Sequence, residues 1–281
     1  MPSIIQFIHT AKEATPDTIN SSIIPWNNHI SHRRKFILSN GQYINNDEIK
    51  EGELVFWGEW EAQSKIIKLR NNLPNQPKYL NQAFLDNSVE NKTHNTDPYV
   101  FGTNFKYLIC RQRTYKILRN LEPYSMILFG SNINSQFCLD TLFIVSDNSK
   151  IFSTNSLRNV FNIKSQYYYA SVQQLLNDKN NDINYQFYNG VQYRSKGKYG
   201  EIYSFSPSKV YNANNELDFI FKQPKLSLDI ISDNLTHGIN TSNNRNFTIS
   251  EIVYYWNKIV KQIENHGLLR GVYFENPRIR E

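Results

Sequence analysis

Short apolar runs separated by long polar connections fill the first half of the chain. Apolar runs of about four to eight residues, bounded by Gly, Asn and Pro, are typical of strands rather than helices. Two of these runs end in glycine, at Gly58 and Gly130. Glycine in such positions suits the bends of a curved or partly closed sheet. The predicted strands of this half cover residues 3–9, 54–57, 64–69, 105–110, 125–130 and 137–145.

The second half contains the clearest helix, which we predict over residues 249–265. Thr248 and Glu251 have the spacing of a capping box, and Gly267 suits the C-terminal stop. The apolar positions of this helix recur at helical spacing and are assigned to the core: Ile252, Tyr255, Trp256, Ile259, Val260 and Ile263. Smaller elements predicted elsewhere are helices at 113–120 and 171–176 and strands at 186–193 and 199–211.

These elements predict an α+β fold, a curved and partly barrel-like mixed sheet with a few flanking helices. The chain shows no internal repeat and no clear linker, so we predict a single domain over residues 1–281. The alternative is a boundary near Lys150. It would separate a strand-rich N-terminal part, 1–149, from a C-terminal α+β part, 150–281, that ends in the helix 249–265.

Composition adds a weak functional signal. The 281 residues include 31 Lys and Arg against 25 Asp and Glu, a formal charge of +6, which suits a polyanionic partner such as DNA. Two cysteines on apolar segments cannot form a disulfide framework, which fits a reducing cytoplasm. We find no signal peptide and no membrane span. His and Cys spacing supports no metal site, and no Gly-rich phosphate loop or nucleophile elbow occurs, so we expect no cofactor.

The segment Glu53–Glu61 places two carboxylates, Glu59 and Glu61, beside two tryptophans, Trp57 and Trp60. Indole rings can stack on bases or sugars. Carboxylates next to them can act as acid, base or electrostatic stabiliser. The alternative is an edge strand that packs both indoles into the core and leaves both glutamates in solvent.

Three basic clusters could bind phosphates. The first cluster consists of His32, Arg33, Arg34 and Lys35. The second consists of Lys106, Arg111, Arg113, Lys116 and Arg119. The third consists of Arg194, Lys196 and Lys198. Basic side chains interleaved with aromatic ones are typical of surfaces that bind nucleic acids. For each cluster the alternative is ordinary solvated surface.

Asp97 precedes a proline, which restricts its backbone to extended conformations and fixes the carboxylate near Tyr99. The alternative is an Asp-capped turn. The sequence Asp-Pro-Tyr99 resembles part of the water-activating motif of uracil-DNA glycosylases, and Ser204–Ser208 is similar to their Ser-Pro-Ser loop. Asp140 interrupts an apolar strand. It could face solvent or pair with an arginine such as Arg33 or Arg111.

Four segments in order resemble a bacterial family of uncharacterised activity associated with phage defence. They are His32-Arg-Arg-Lys-Phe-Ile-Leu-Ser39, Gly52-Glu-Leu-Val-Phe-Trp-Gly-Glu-Trp-Glu61, Asp97-Pro-Tyr-Val-Phe-Gly102 and Leu139-Asp-Thr-Leu-Phe-Ile-Val145. The resemblance covers residues 1–145. It implies similarity to phage-defence DNA glycosylases that excise glucosylated hydroxymethylcytosine.

The resulting hypothesis is a cytoplasmic, DNA-binding hydrolase that flips a modified base out of DNA and cleaves its N-glycosidic bond. Its catalytic residues are predicted to be Asp97, Glu59 and Glu61, because a carboxylate can orient water and stabilise oxocarbenium-like charge. The predicted base-binding residues are Trp57, Trp60, Tyr99 and His32. The predicted phosphate-binding residues are Arg33, Arg34, Lys35, Arg111, Arg113, Lys196 and Lys198.

Two other functions remain open at this point. The first is a non-catalytic reader that encloses a modified base between Trp57 and Trp60. The second is an enzyme or sensor for a free nucleotide signal. A nuclease is disfavoured, because the spacing from Glu61 to Lys65 does not match an Asp…Glu-x-Lys arrangement.

Overall fold

The protein is described from a computed structural model, and its fold is mixed α+β with curled mixed sheets, which confirms the predicted fold class. The structure describes residues 1–10, 13, 34–69, 78–86, 95–153, 156–173, 175, 184–214, 221–236, 238–240 and 246–280. In this part of the chain no helix is long and apolar enough to span a membrane.

The strands pair in three sheets. In chain order they are β1 (Ile4–Thr10), β2 (Arg34–Asn45), β3 (Glu48–Glu59), β4 (Ser64–Leu69), β5 (Tyr79–Asp86), β6 (Lys106–Tyr107), β7 (Met126–Ile133), β8 (Gln136–Ile144), β9 (Lys150–Ser153), β10 (Asn184–Asn189), β11 (Ser206–Val210), β12 (Gly238–Asn240), β13 (Leu269–Phe274) and β14 (Arg278–Arg280). The four-stranded sheet has the order β12-β1-β7-β8, and the three-stranded sheet has the order β6-β10-β9. The seven-stranded sheet has the order β13-β11-β3-β2-β5-β14, with β4 added on β5.

Four strands of the seven-stranded sheet close on one another in a ring, because β13 pairs with β2 as well as with β11. β2 and β3 form a long hairpin whose two-residue turn, Asn46 and Asp47, has positive φ at both positions, as a twisted hairpin requires. Gly41 lets β13 approach, since a Cβ there would lie 2.3 Å from the Tyr273 carbonyl oxygen. A residue without a side chain is therefore needed where the ring closes.

The described residues also form two α-helices, α1 (Leu157–Val160) and α2 (Ile249–Asn265), a 3-10 helix, Tyr193–Tyr199, and two shorter helical segments. The α2 prediction is confirmed: Glu251 donates its backbone N–H to Thr248 Oγ1 at 3.2 Å and accepts the Thr248 N–H at 2.8 Å. All six apolar residues of this helix that were assigned to the core are buried.

Three short predictions are wrong. Residues 113–120 contain only a 3-10 turn, Lys116–Arg119, and Ser171 lies inside a π-helical segment, Tyr168–Val172, instead of starting a helix. The strand predicted at 105–110 is limited to Lys106–Tyr107, because the next three backbone N–H groups turn towards the carboxylate of Asp97.

Strands from both sides of residue 150 pair with one another in every sheet. β12 joins β1 in the four-stranded sheet, and β10 pairs with β6 in the three-stranded sheet. β11 and β13 close the ring on β3 and β2. The single domain over 1–281 stays a prediction.

Candidate functional site

Five polar side chains meet in the interior where the four-stranded and seven-stranded sheets contact each other. We call them the Arg34 cluster: His9, Arg34, Glu59, Ser131 and Asp140. The side chains of the four ionisable members are only 1–2% exposed. Buried ionisable groups are rare unless they are paired, so their convergence marks the cluster as the leading candidate site.

The strand register explains how the cluster forms. In the parallel pair β1–β7, His9 lies opposite Ser131. In the antiparallel pair β2–β3, Arg34 lies opposite Glu59. Asp140 is the extra residue of a β-bulge in β8 and lies between the partners of Phe129 and Gly130. A bulge interrupts the alternation of side chains between the two faces of a sheet, and here the side chain that it redirects is that of Asp140.

Gly130 is required at this bulge. A Cβ at its position would lie 2.4 Å from the Cys138 carbonyl oxygen and 2.4 Å from the Phe137 ring. Any larger residue would push β7 and β8 apart and displace the bulge.

The guanidinium of Arg34 connects the charged members. Its Nε lies 3.3 Å from Asp140 Oδ2, and its Nη2 lies 3.6 Å from Glu59 Oε2 and contacts His9 Nδ1. Because arginine has donors only, His9 Nδ1 is the acceptor, and the imidazole proton sits on Nε2. That nitrogen lies 3.6 Å from the sulfur of Cys110.

Asp140 has an asymmetric environment. Its Oδ2 accepts a 2.7 Å hydrogen bond from Ser131 Oγ, which in turn accepts a long 3.4 Å bond from Trp57 Nε1. Its Oδ1 has no hydrogen-bond partner among the described residues. Burial raises the pKa of Asp140 to about 6, although Arg34 and the Ser131 hydroxyl both act to lower it. A proton can therefore enter or leave this carboxyl near neutral pH.

Asp97 occupies a separate buried position. Its Oδ1 accepts the backbone N–H of Leu108 at 3.2 Å, and its Oδ2 accepts those of Ile109 and Cys110 at 2.6 Å each. Burial raises the pKa of Asp97 to about 7, against these three amides, which lower it. These hydrogen bonds connect the turn at Asp97 to the backbone of residues 108–110. Asp97 does not belong to the Arg34 cluster.

Both predicted stacking tryptophans lie in the interior, as the packing alternative expected. Trp57 and Trp60 are 2% and 0% exposed, and the indole of Trp60 donates a 2.7 Å bond to the Gln63 carbonyl oxygen. Glu59 is also buried, so the part of that alternative that placed it in solvent is wrong. Tyr99 is buried as well and donates its hydroxyl proton to Asn276 Oδ1 at 2.9 Å.

Glu61 and Lys35 lie outside the Arg34 cluster. Glu61 Oε2 accepts the backbone N–H of Asn95 at 2.9 Å. Lys35 Nζ donates to the Ala62 carbonyl oxygen at 2.9 Å. Burial lowers the pKa of Lys35 to about 7, against the nearby Glu61 carboxylate, which raises it. Successive strand residues point to opposite faces, which separates Lys35 from Arg34.

The predicted phosphate-binding residues are distributed over different parts of the molecule. Arg33, and also His32, which was predicted to bind the base, lie outside the described residues. Arg34 and Lys35 are buried. Arg111 is half-buried and Arg113 is exposed. Lys196 forms an ion pair with Glu201 at 2.9 Å, and Lys198 pairs with Asp147.

Arg34 and Lys35, the described members of the first basic cluster, lie at the opposite end of the β2–β3 hairpin from the third basic cluster. Tyr193, at the start of the third cluster, donates its hydroxyl proton to the Asp47 carbonyl oxygen in the hairpin turn. Arg34 lies at the other end of β2, about 35 Å away at strand rise. A single small groove cannot contain both clusters.

The sequence did not single out His9 or Ser131 as site residues. Asp140 pairs with an arginine, as one of the two alternatives expected, and this arginine is Arg34. Arg33, one of the two arginines named as examples, lies outside the described residues. Among the described residues no group of three or more His, Cys, Asp and Glu side chains is placed to hold a metal ion. Comparison of the chain with protein families, with curated proteins and with solved structures finds no match.

Proposed function

We propose that the chain is a hydrolase that cleaves the N-glycosidic bond of a modified base in DNA, with the Arg34 cluster as its catalytic centre. The observation that carries the proposal is the buried convergence of two carboxyl groups, an arginine and an imidazole from four strands. Many glycoside hydrolases use two such carboxyl groups, one as acid and one as carboxylate.

The proposed roles follow from the environments of the two acids. Asp140, with a pKa raised to about 6, donates a proton to the leaving base as the bond from C1′ to the base nitrogen breaks. Glu59 accepts a proton from the attacking water, whose oxygen bonds to C1′, and stabilises the positive charge that develops on the sugar. Arg34 is the positioning residue that holds both carboxyl groups.

The proposal includes an opening step, because the cluster is closed to solvent. Enzymes commonly carry out such chemistry in closed sites and open them to admit substrate. DNA as the partner is supported by the positive formal charge and by the exposed basic residues Arg113 and Arg194. Trp57 and Trp60 have no exposed face, so no observation favours the reader function.

The test is release of free base and formation of abasic sites on incubation with DNA. Substrates are unmodified DNA and DNA carrying hydroxymethylcytosine, with and without attached glucose. We expect release from a modified DNA, and losses of about a hundredfold or more for Asp140→Asn and Glu59→Gln, since general acid–base groups contribute at least that much. Asp233→Asn, the same change at an exposed acid, is the matched control. Absence of release from every substrate would refute the proposal.

A further inference from the structure

A cleft of about 200 Å³ opens at the turn end of the β2–β3 hairpin, remote from the Arg34 cluster. It is lined by Gln42, Ile49, Thr103, Gln192, Tyr193, Arg194, Val272 and Tyr273. The volume corresponds to about seven water molecules, below the range of drug-sized sites, so it fits one small ring system. Two phenol rings, two amides, a hydroxyl and a guanidinium line it, and no lining residue is acidic.

Arg194 is the cation of this cleft that carries no counter-charge. Of the three basic residues in its 3-10 helix, Lys196 and Lys198 form ion pairs with Glu201 and Asp147. Arg194 forms no ion pair with any residue that the structure describes, and its side chain is exposed at the cleft. A guanidinium in that position can accept a phosphate in bidentate geometry without first breaking an ion pair.

The ring of Tyr193 is held in place before any ligand arrives. Its hydroxyl donates a 2.6 Å hydrogen bond to the Asp47 carbonyl oxygen, and its ring meets that of Tyr203 edge-on with centroids 4.9 Å apart. The side chain of Gln42, in β2, donates a 2.8 Å hydrogen bond to Glu51 Oε1 in β3. A fixed aromatic wall loses little entropy when a base packs on it.

We propose that this cleft binds one nucleotide of a DNA strand, with the base against the tyrosine rings and the phosphate at Arg194. The inference rests on the proposed function, because it names a second contact with the same partner. Gln42 lies eight residues after Arg34 in β2, about 26 Å at strand rise. That span corresponds to about eight base pairs of duplex DNA, so one bound molecule can reach both sites.

The experiment measures binding of a labelled duplex of about 20 base pairs by fluorescence anisotropy over a range of salt concentrations. We expect Arg194→Gln to raise Kd about fivefold to tenfold and to lower the salt slope by about one. Tyr273→Leu should raise Kd by at least about fivefold without changing the salt slope. Lys150→Gln removes an exposed charge from β9 and is the matched control. It should bind as the unmodified protein does.

Wild-type affinity and salt slope in both cleft variants would overturn the inference, as would an equal effect of Lys150→Gln. Deoxycytidine monophosphate is the probe for a free ligand. If it binds the cleft while the duplex fails to displace it, the strand assignment is wrong. Base release by the unmodified protein separates the two proposals. If it releases base while both cleft variants bind DNA as it does, only the further inference fails. If the unmodified protein releases no base but binds DNA through Arg194, only the proposed function fails.

Discussion

Replacing Asp140 by asparagine should change how the stability of the protein depends on pH. Burial raises the pKa of this carboxyl from its ordinary value of 3.8 to about 6. Between these two values the folded protein holds a proton that the unfolded chain has released. Stability contributed by the protonated carboxyl is therefore present at low pH and is lost as the pH rises through this window.

The size of the effect follows from the difference of about 2 between the two pKa values. Each pKa unit corresponds to about 1.4 kcal/mol, so ionisation of Asp140 should cost about 3 kcal/mol of folding free energy by neutral pH. Asparagine has nearly the same shape and does not titrate. The Asp140→Asn variant should therefore gain about 2.5 kcal/mol relative to the unmodified protein between about pH 4 and about pH 7.5, because part of the full effect is already present at pH 4.

Urea unfolding followed by tryptophan fluorescence at both pH values measures this difference. Subtracting the two proteins removes the contributions of other titrating groups, such as Asp97, whose pKa burial also raises. Asp233→Asn, at an exposed site, should show no such change. A difference that stays constant with pH, or that favours the unmodified protein at higher pH, would mean that Arg34 stabilises the Asp140 anion fully and that the reasoning is wrong.

Three further predictions concern the surroundings of the cluster. Gly130→Ala should destabilise the fold by about 1–3 kcal/mol in urea unfolding, because its Cβ would meet the Cys138 carbonyl oxygen, and an unchanged midpoint would contradict the bulge geometry. Asp97→Asn should lower the free energy of unfolding by about 1–3 kcal/mol, because an amide nitrogen cannot replace the oxygen that accepts two backbone N–H groups. A variant as stable as the unmodified protein in urea unfolding would refute this prediction. Cys110 and Cys138 are buried with raised thiol pKa values, so neither should react with a disulfide reagent until urea unfolds the protein, and rapid labelling of the folded protein would contradict their burial.

Features set by neighbouring residues were predictable from the sequence. The helix α2, with its cap at Thr248 and Glu251, depends on residues three apart, and its apolar stripe fixes the buried face. The curved mixed sheet was also predictable, because apolar runs that end at glycine restrict the strands to a small set of architectures.

The Arg34 cluster could not be predicted, because it depends on strand register. His9 and Ser131 are far apart in the sequence and meet only because β1 pairs in parallel with β7. Asp140 faces inward because of a bulge, and one residue more or less in β8 would turn it to the other side. Arg34 and Lys35 formed one cluster in the sequence, yet strand alternation sends them to different surroundings.

The closed ring of β2, β3, β11 and β13 has a consequence for biosynthesis. Its first hairpin leaves the ribosome early, but the strand that joins its ends begins only at Leu269. Until then the backbone groups of β2 that pair with β13, at residues 41–44, could capture another chain. Contacts over so large a sequence separation also form slowly. The nascent polypeptide should therefore depend on chaperones until β13 has been synthesised, and deletion of β13 and β14 should favour aggregation over a smaller folded product.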